Sequence, residues 1–369
     1  MVPIPCAHLQ CKPNRSIGIS SKPLGGSMNE LTLAVLWYFV IGLCVVFYVV
    51  LDGFDLGVGI LHFFTKKDEE RRVFLNAIGP VWDGNEVWLV IVGGALFAGF
   101  PDVYATLFSG FYNLCMILLA GLIFRAVAIE FRSKRESMRW RFTWDAIFSL
   151  ASLIIAFGVG LAMGNLISGI PLNENKDFIG SFSLFFRPYP LLIGTFTVSL
   201  LTMHGSIYLA MKTEKALRER IRRWAEKTIA CFLFLYLITT VVTWITMPHM
   251  VQKFKENPWL MLVGLATLLC ILNVPREFRK NRDGFAFLSS CLAICFLFCL
   301  FGLGQFPNLV RSSINPAENS LTFYNSAASP LTLRVLLIIV LIGIPLVLAY
   351  GGMVYRIFRG KVKIEPSSY

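Results

Sequence analysis

The stretch Gly79-Pro-Val-Trp-Asp-Gly-Asn-Glu-Val-Trp-Leu-Val-Ile-Val92 decides how this chain is read. It opens an apolar run long enough to cross a bilayer, yet its first turns carry Asp83, Asn85 and Glu86 beside Trp82 and Trp88. An ionised carboxylate in a bilayer helix costs several kcal/mol, roughly 2.5–3.5 on insertion scales, so such groups face a partner, a cavity or a proton path. Asp83 and Glu86 are three apart and share a helical face. The apolar run before it ends in Leu51-Asp-Gly-Phe-Asp-Leu-Gly-Val-Gly59, with a second carboxylate pair, Asp52 and Asp55, at the same spacing. A passive membrane anchor needs neither pair.

The composition agrees with a membrane protein. Of 369 residues, 56% are hydrophobic and 15% charged, and the mean hydropathy is +0.66, outside the soluble globular range. The net charge of +12 does not form one basic face, which argues against nucleic acid as a partner. From Leu31 onward nine apolar runs have bilayer-crossing length: about 31–55, 79–99, 103–125, 145–167, 190–211, 228–248, 258–274, 285–305 and 331–355. The second and third are separated only by Phe100-Pro-Asp102, which predicts an antiparallel hairpin. The fold class is therefore an all-α integral membrane protein, a bundle of about nine transmembrane helices over residues 28–360.

The loops alternate in charge. Those after the odd-numbered spans hold 25 Lys and Arg, and those after the even-numbered spans hold six. The positive-inside rule then puts the N-terminus outside and the C-terminus, with a short tail over 361–369, in the cytoplasm. Residues 1–27 lack an apolar core of signal-peptide length and read as a disordered extension, with Met28 as the expected start. In this orientation Asp52, Asp55, Asp83 and Glu86 lie toward the cytoplasmic side, as do Arg125, Glu130 and Lys134 at the end of the third span. That is a polar inlet, and carboxylate chains carry protons. Asp55 reads as a residue of the membrane–water boundary. Arg125 reads as a snorkelling cation or a partner for Asp83 or Glu130.

Other residues read as packing. Gly53, Gly57, Gly59 and the Gly93-Gly94 pair suit close helix approach, and Cys291, Cys295 and Cys299 suit a packed helix face. Trp37, Trp140, Trp144, Trp244 and Trp259 fall where aromatic belts form. Pro345 should kink its helix. Four histidines are few for several haems, and His204 reads as a buried, hydrogen-bonded packing residue.

Together, Asp52-Gly-Phe-Asp-Leu-Gly-Val-Gly59, Trp82-Asp-Gly-Asn-Glu-Val-Trp88, Gly93-Gly-Ala-Leu-Phe97, Phe108-Ser-Gly-Phe-Tyr112, Phe124-Arg125 and Phe131-Arg-Ser-Lys134 resemble subunit II of the cytochrome bd-type quinol oxidases. The resemblance implies a subunit, not catalytic alone, of an inner-membrane enzyme that oxidises a membrane quinol and reduces oxygen to water. It places the haems in partner subunit I, assigns this chain none of its own, and leaves room for a structural quinone or lipid. Carried onto these positions, Asp83, Glu130 and Lys134 are the family's proton-carrying residues, with Glu86 and Asp52 in the same path and Trp82, Asn85, Trp88 and Arg125 supporting it. The family pattern allows Asp where this chain has Glu130. The rival reading is a secondary transporter or proton-coupled channel using the same carboxylates. No internal repeat is visible, and the acidic motifs gather at one face, which favours an inlet feeding a partner.

Overall fold

In the computed structural model, residues 28–363 are described. The expectations for residues 1–27, Met28 as the start included, and for the tail beyond 363 fall outside them. Eight helices are long and apolar enough to span a membrane, and a bent pair makes a ninth. Backbone groups in hydrocarbon must bond within their own segment, so apolar runs of this length become helices.

The first helix, α1 (Met28–His62), is the axis of the bundle. Around it run α3 (Trp82–Gly99), α6 (Met138–Ser168), α7 (Pro188–Lys212) and α11 (Asp283–Gln305), all packed against it. Outside these lie α5 (Tyr112–Arg132) on α6, α8 (Lys215–Thr246) on α7, and α10 (Met261–Arg279) on α11. The last long helix, α13 (Pro330–Ile357), leans on α1 and α3 and is otherwise exposed.

Two spans differ from the expectation. The second, expected over 79–99, is α3, but the loop before it forms a further helix, α2 (Asp68–Ile78), which meets α3 at a 48° bend. Pro80 stands in that break, where a residue without an N–H interrupts the helical ladder least harmfully. The third span is divided into α4 (Pro101–Gly110) and α5, and α3 and α5 do not run along each other as hairpin arms. Phe100, fully buried, anchors the corner between α3 and α4 while α5 turns away to α6.

The close contact of α1 with α7 comes from glycines. A Cβ on Gly57 would enter the Leu201 carbonyl oxygen, and one on Gly205 would lie 2.6 Å from the Gly57 carbonyl carbon. A Cβ on Gly59 would collide with Ser152 of α6, and one on Gly53 would meet Leu201 at 2.9 Å. No described atom lies within 4 Å of a Cβ built on Gly93 or Gly94. Their side of α3 is open among the described residues.

Trp37 is likewise no belt residue. It is buried and donates its indole N–H to the Leu333 carbonyl at 3.0 Å, tying α1 to α13. Trp244 and Trp259 are exposed near helix ends.

The helix ends gather at two poles. One carries the basic loops, joined by ion pairs such as Arg220–Glu70 and Arg218–Asp283. Here Lys361 donates to the Thr213 carbonyl at 2.8 Å, fastening the chain's end to the α7–α8 turn. Burial lowers the pKa of the Lys361 ammonium, reinforced by Arg218 nearby. The other pole is closed by residues 169–187 with a small antiparallel pair, β1 (Asn308–Val310) and β2 (Leu321–Thr322), and the short α12 (Pro316–Asn319) between the strands.

Candidate functional site

The charged residues of the bundle fall into two clusters. The deeper one lies where α1, α3, α5 and α13 meet. Helix α1 runs past the expected end at residue 55 as far as His62, so Asp52 stands ten residues before its terminus. At 1.5 Å per residue that is about 15 Å along the axis. Residues 52 to 59 are all buried.

Asp52 is held by Arg125 of α5. Nη1 donates to Oδ2 at 2.9 Å and Nη2 to Oδ1 at 2.5 Å, and both residues are fully buried. A bidentate guanidinium–carboxylate pair is among the strongest polar contacts available, and in a dry site it must be nearly perfect to offset desolvation. Arg125 is therefore neither snorkelling nor a partner of Asp83 or Glu130, as the sequence reading had it. The partner is 73 positions away on another helix.

Asp55, one turn further on, corrects the boundary expectation, for it is also fully buried. Its partner is neutral: Asn85 Nδ2 donates to Oδ2 at 2.7 Å. Oδ1 has no hydrogen-bond partner among the described residues. Asn85 also donates to the Leu51 carbonyl at 3.3 Å and accepts from the Tyr355 hydroxyl of α13 at 2.8 Å. Glu86, half-buried on α3, completes the cluster, with Arg125 and Asp52 among the charges that act on it. Three carboxyls thus share one guanidinium.

The supporting tryptophans pack beside this cluster. Trp88 stacks on Phe47 with ring centroids 4.4 Å apart, and Trp82 is half-buried against the core. A cavity of about 330 Å³ opens between α3 and α13, against Asn85, Trp88, Tyr350 and Tyr355. A second cavity, of about 130 Å³, lies among apolar side chains of α1, α6, α7 and α11, away from the charges.

Three of the expected path residues stand apart from the cluster. Asp83 is exposed on α3 and has no hydrogen-bond or ion-pair partner among the described residues. Glu130 is half-buried, and Lys134 is exposed just beyond the end of α5.

The second cluster sits at the basic pole. Asp145 of α6 accepts from His62 Nε2 at 2.6 Å, from Arg71 Nη1 at 2.8 Å, and from Arg132 Nε at 2.5 Å. Arg132 reaches on to Asp68 at 2.6 Å, which also accepts from Arg141 at 2.8 Å. This knot ties the ends of α1, α2, α5 and α6. Sequence reasoning missed it because Asp145 and His62 look like ordinary span ends. The one available hint is that Asp145 already lies within an apolar run.

The three described histidines are each hydrogen-bonded within the bundle. His204 has Nδ1 2.7 Å from Ser290 Oγ, donates Nε2–H to the Val50 carbonyl at 3.0 Å, and stacks on Phe287 at 4.7 Å, as a packed, hydrogen-bonded residue should. His62 is tied to Asp145, and His249 Nε2 bonds the Ile167 carbonyl. No group of three or more His, Cys, Asp or Glu among the described residues could hold a metal ion.

The model of the cytochrome bd terminal oxidase subunit II family matches residues 33–358. The chain belongs to this family. Cytochrome bd-I ubiquinol oxidase subunit 2 of Escherichia coli K12 is 33% identical over 365 residues, covering 90% of this subunit II and 96% of that protein. The cytochrome bd ubiquinol oxidase subunit 2 of Bacillus subtilis is 31% identical over 337 residues, covering 90% and 98%. Among solved structures, the bd oxidase from Geobacillus thermodenitrificans superposes with a TM-score of 0.73 at 18% identity, covering 89% of this chain and 98% of that one, which supports the fold. This subunit II is thus a multi-pass inner-membrane component of a bd-type terminal oxidase, a complex that includes a partner subunit. The transporter reading is not favoured.

Proposed function

We propose that this subunit II conducts protons from the cytoplasm, through its basic pole, to a haem-bearing subunit I that oxidises membrane quinol and reduces oxygen to water. The observation that carries the reading is the buried cluster of Asp52, Asp55 and Glu86 around the single cation Arg125. In a low dielectric, carboxyls at close quarters cannot all ionise against one positive charge, so such a group holds and exchanges protons. Oxygen reduction to water consumes protons, and the E. coli and B. subtilis relatives are named ubiquinol oxidases.

The direction rests on loop charge: without the buried Arg125, 24 of the Lys and Arg outside the tail follow the odd-numbered spans, and the positive-inside rule makes that pole the cytoplasmic one. Glu130 and Lys134 stand toward that pole as the entrance. Asp83 points out of this chain on the face of α3 that also carries Gly94, about 16 Å further along the axis. An ionisable group on a lipid-facing flank is costly, so that flank suits the partner subunit, with Asp83 as the group that hands protons across. On this reading the haems belong to the partner, in keeping with the hydrogen bonds that engage the three described histidines. The apolar cavity between α1, α6, α7 and α11 suits hydrocarbon of a lipid or a structural quinone.

The test is Asp83→Asn in the intact complex. Oxidase turnover should fall severalfold or more while haem content and partner stoichiometry stay at the parent level. Loss of haem or partner at unchanged turnover per haem would make Asp83 a structural residue and overturn the reading.

A further inference from the structure

The two acids of α1 are three residues apart, equally buried and differently served. Asp52 has a full guanidinium. Asp55 has one amide N–H on Oδ2, and its Oδ1 has no hydrogen-bond partner among the described residues. The charges that act on Asp55 are Asp52, Arg125 and Glu86, and two phenols, Tyr208 of α7 and Tyr355 of α13, face it as well. Arg125 is already committed to Asp52. A buried carboxylate with a neutral donor and an orphaned oxygen is far costlier than the neutral acid, whose proton can sit on that second oxygen.

The cavity between α3 and α13 is lined by Asn85 and Tyr355 but not by Asp55, which lies behind Asn85 and bonds its Nδ2. It is large enough for several waters, and Tyr350, Tyr355 and Asn85 supply the polar partners that waters need. Asn85 stands between the cavity and Asp55. An amide does not relay a proton, so while its Nδ2 holds Asp55 and its Oδ1 holds the Tyr355 hydroxyl, it separates the acid from the cavity. The Tyr355 bond comes from α13, the least buried of the long helices, so the latch belongs to the element with the fewest contacts to break.

We propose that Asp55 is a proton-holding site whose exchange with water in the α3–α13 cavity is gated by Asn85, with Tyr355 as the latch. On opening, the Asp55 hydroxyl gives its proton to a cavity water, leaving a carboxylate beside Arg125 and a hydronium in the cavity. Reclosure follows return of a proton. The site deepens the proton-conduction reading and rests on it for its purpose.

The experiment uses the purified complex and reads the infrared carboxylic-acid C=O band on transfer from H2O to D2O. A band should be present in the parent protein, be lost in Asp55→Asn and move in Asp55→Glu. Its shift in D2O should be slow in the parent and severalfold faster in Tyr355→Phe, which frees Asn85. If Asp55→Asn does not assemble, Tyr355→Phe still decides, because an Asn85 freed on one side must change the band of the acid it bonds. Absence of a band assignable to Asp55 overturns the proton-holding site, and an exchange rate unaffected by Tyr355→Phe overturns the gate. Failure of the conduction reading has a different signature: Asp83→Asn would leave turnover unchanged while the Asp55 band remained.

Discussion

The knot at the basic pole and the cluster in the core use the same side-chain types to opposite effect. At the pole, Asp145 and Asp68 are surrounded by Arg71, Arg132 and Arg141, with His62 hydrogen-bonded to Asp145, so three cations face two carboxylates. In the core, Asp52, Asp55 and Glu86 share Arg125. A carboxylate ringed by surplus cations acts as a fastener. Carboxyls with too few cations suit the proton-conducting role proposed above. On that reading the ratio of charges, more than their presence, separates the structural cluster from the conducting one.

The sharpest way to break the comparison is Arg125→Met. Leaving Asp52 buried without its guanidinium should destabilise the assembled complex by about 3–5 kcal/mol, seen as loss of complex from membranes or a large drop in its melting temperature. Adding Asp52→Leu should recover most of that stability, because an apolar pair of similar volume is often neutral or better. A double variant that assembles but turns over slowly would separate the cluster's conducting role from its structural one.

At the pole, Asp145→Asn should cost about 1.5–3 kcal/mol of stability, the range for losing hydrogen bonds to charged groups, with turnover per haem unchanged. Arg71 is partly exposed and can turn toward water, and Arg132 keeps its bond to Asp68, which keeps the loss below that of the core. Smallest is Asp68→Asn. This pair member is about a quarter exposed, so the loss should stay under about 1 kcal/mol and vanish in high salt, as read from melting curves at two ionic strengths. A salt-insensitive loss there would mean that the pole is drier than its exposure indicates.

The acids singled out by their motifs divide by burial. Asp83 and Lys134 are exposed and Glu130 is half-buried, while Asp52 and Asp55 are sealed. Within one short motif the two directions stand side by side: Asn85 turns inward and bonds Asp55, whereas Asp83, two positions earlier on the same helix, turns outward. Successive helical positions are rotated by about 100°, so two residues apart they face nearly opposite ways. Which of the two faces the core depends on where α1 lies, and the motif alone does not say.

Much of the molecule was nonetheless legible in the sequence. The apolar runs determined the all-α membrane class and the number of spans, because hydropathy is a local sum and a bilayer demands helices. The tandem motifs determined the family. The Asp-Gly-Phe-Asp and Trp-Asp-Gly-Asn-Glu stretches marked the acids worth following, since such residues are costly anywhere in an apolar helix. Tertiary structure alone decided which acid meets which base. Arg125 finds Asp52 across 73 positions, and Tyr355 finds Asn85 across 270, and no local pattern encodes such pairings. It also decided that α1 continues to His62, which carries Asp55 from the expected boundary into the core. Acids and glycines lower the local hydropathy there, and only neighbours on other helices can neutralise the acids and fill the glycine grooves.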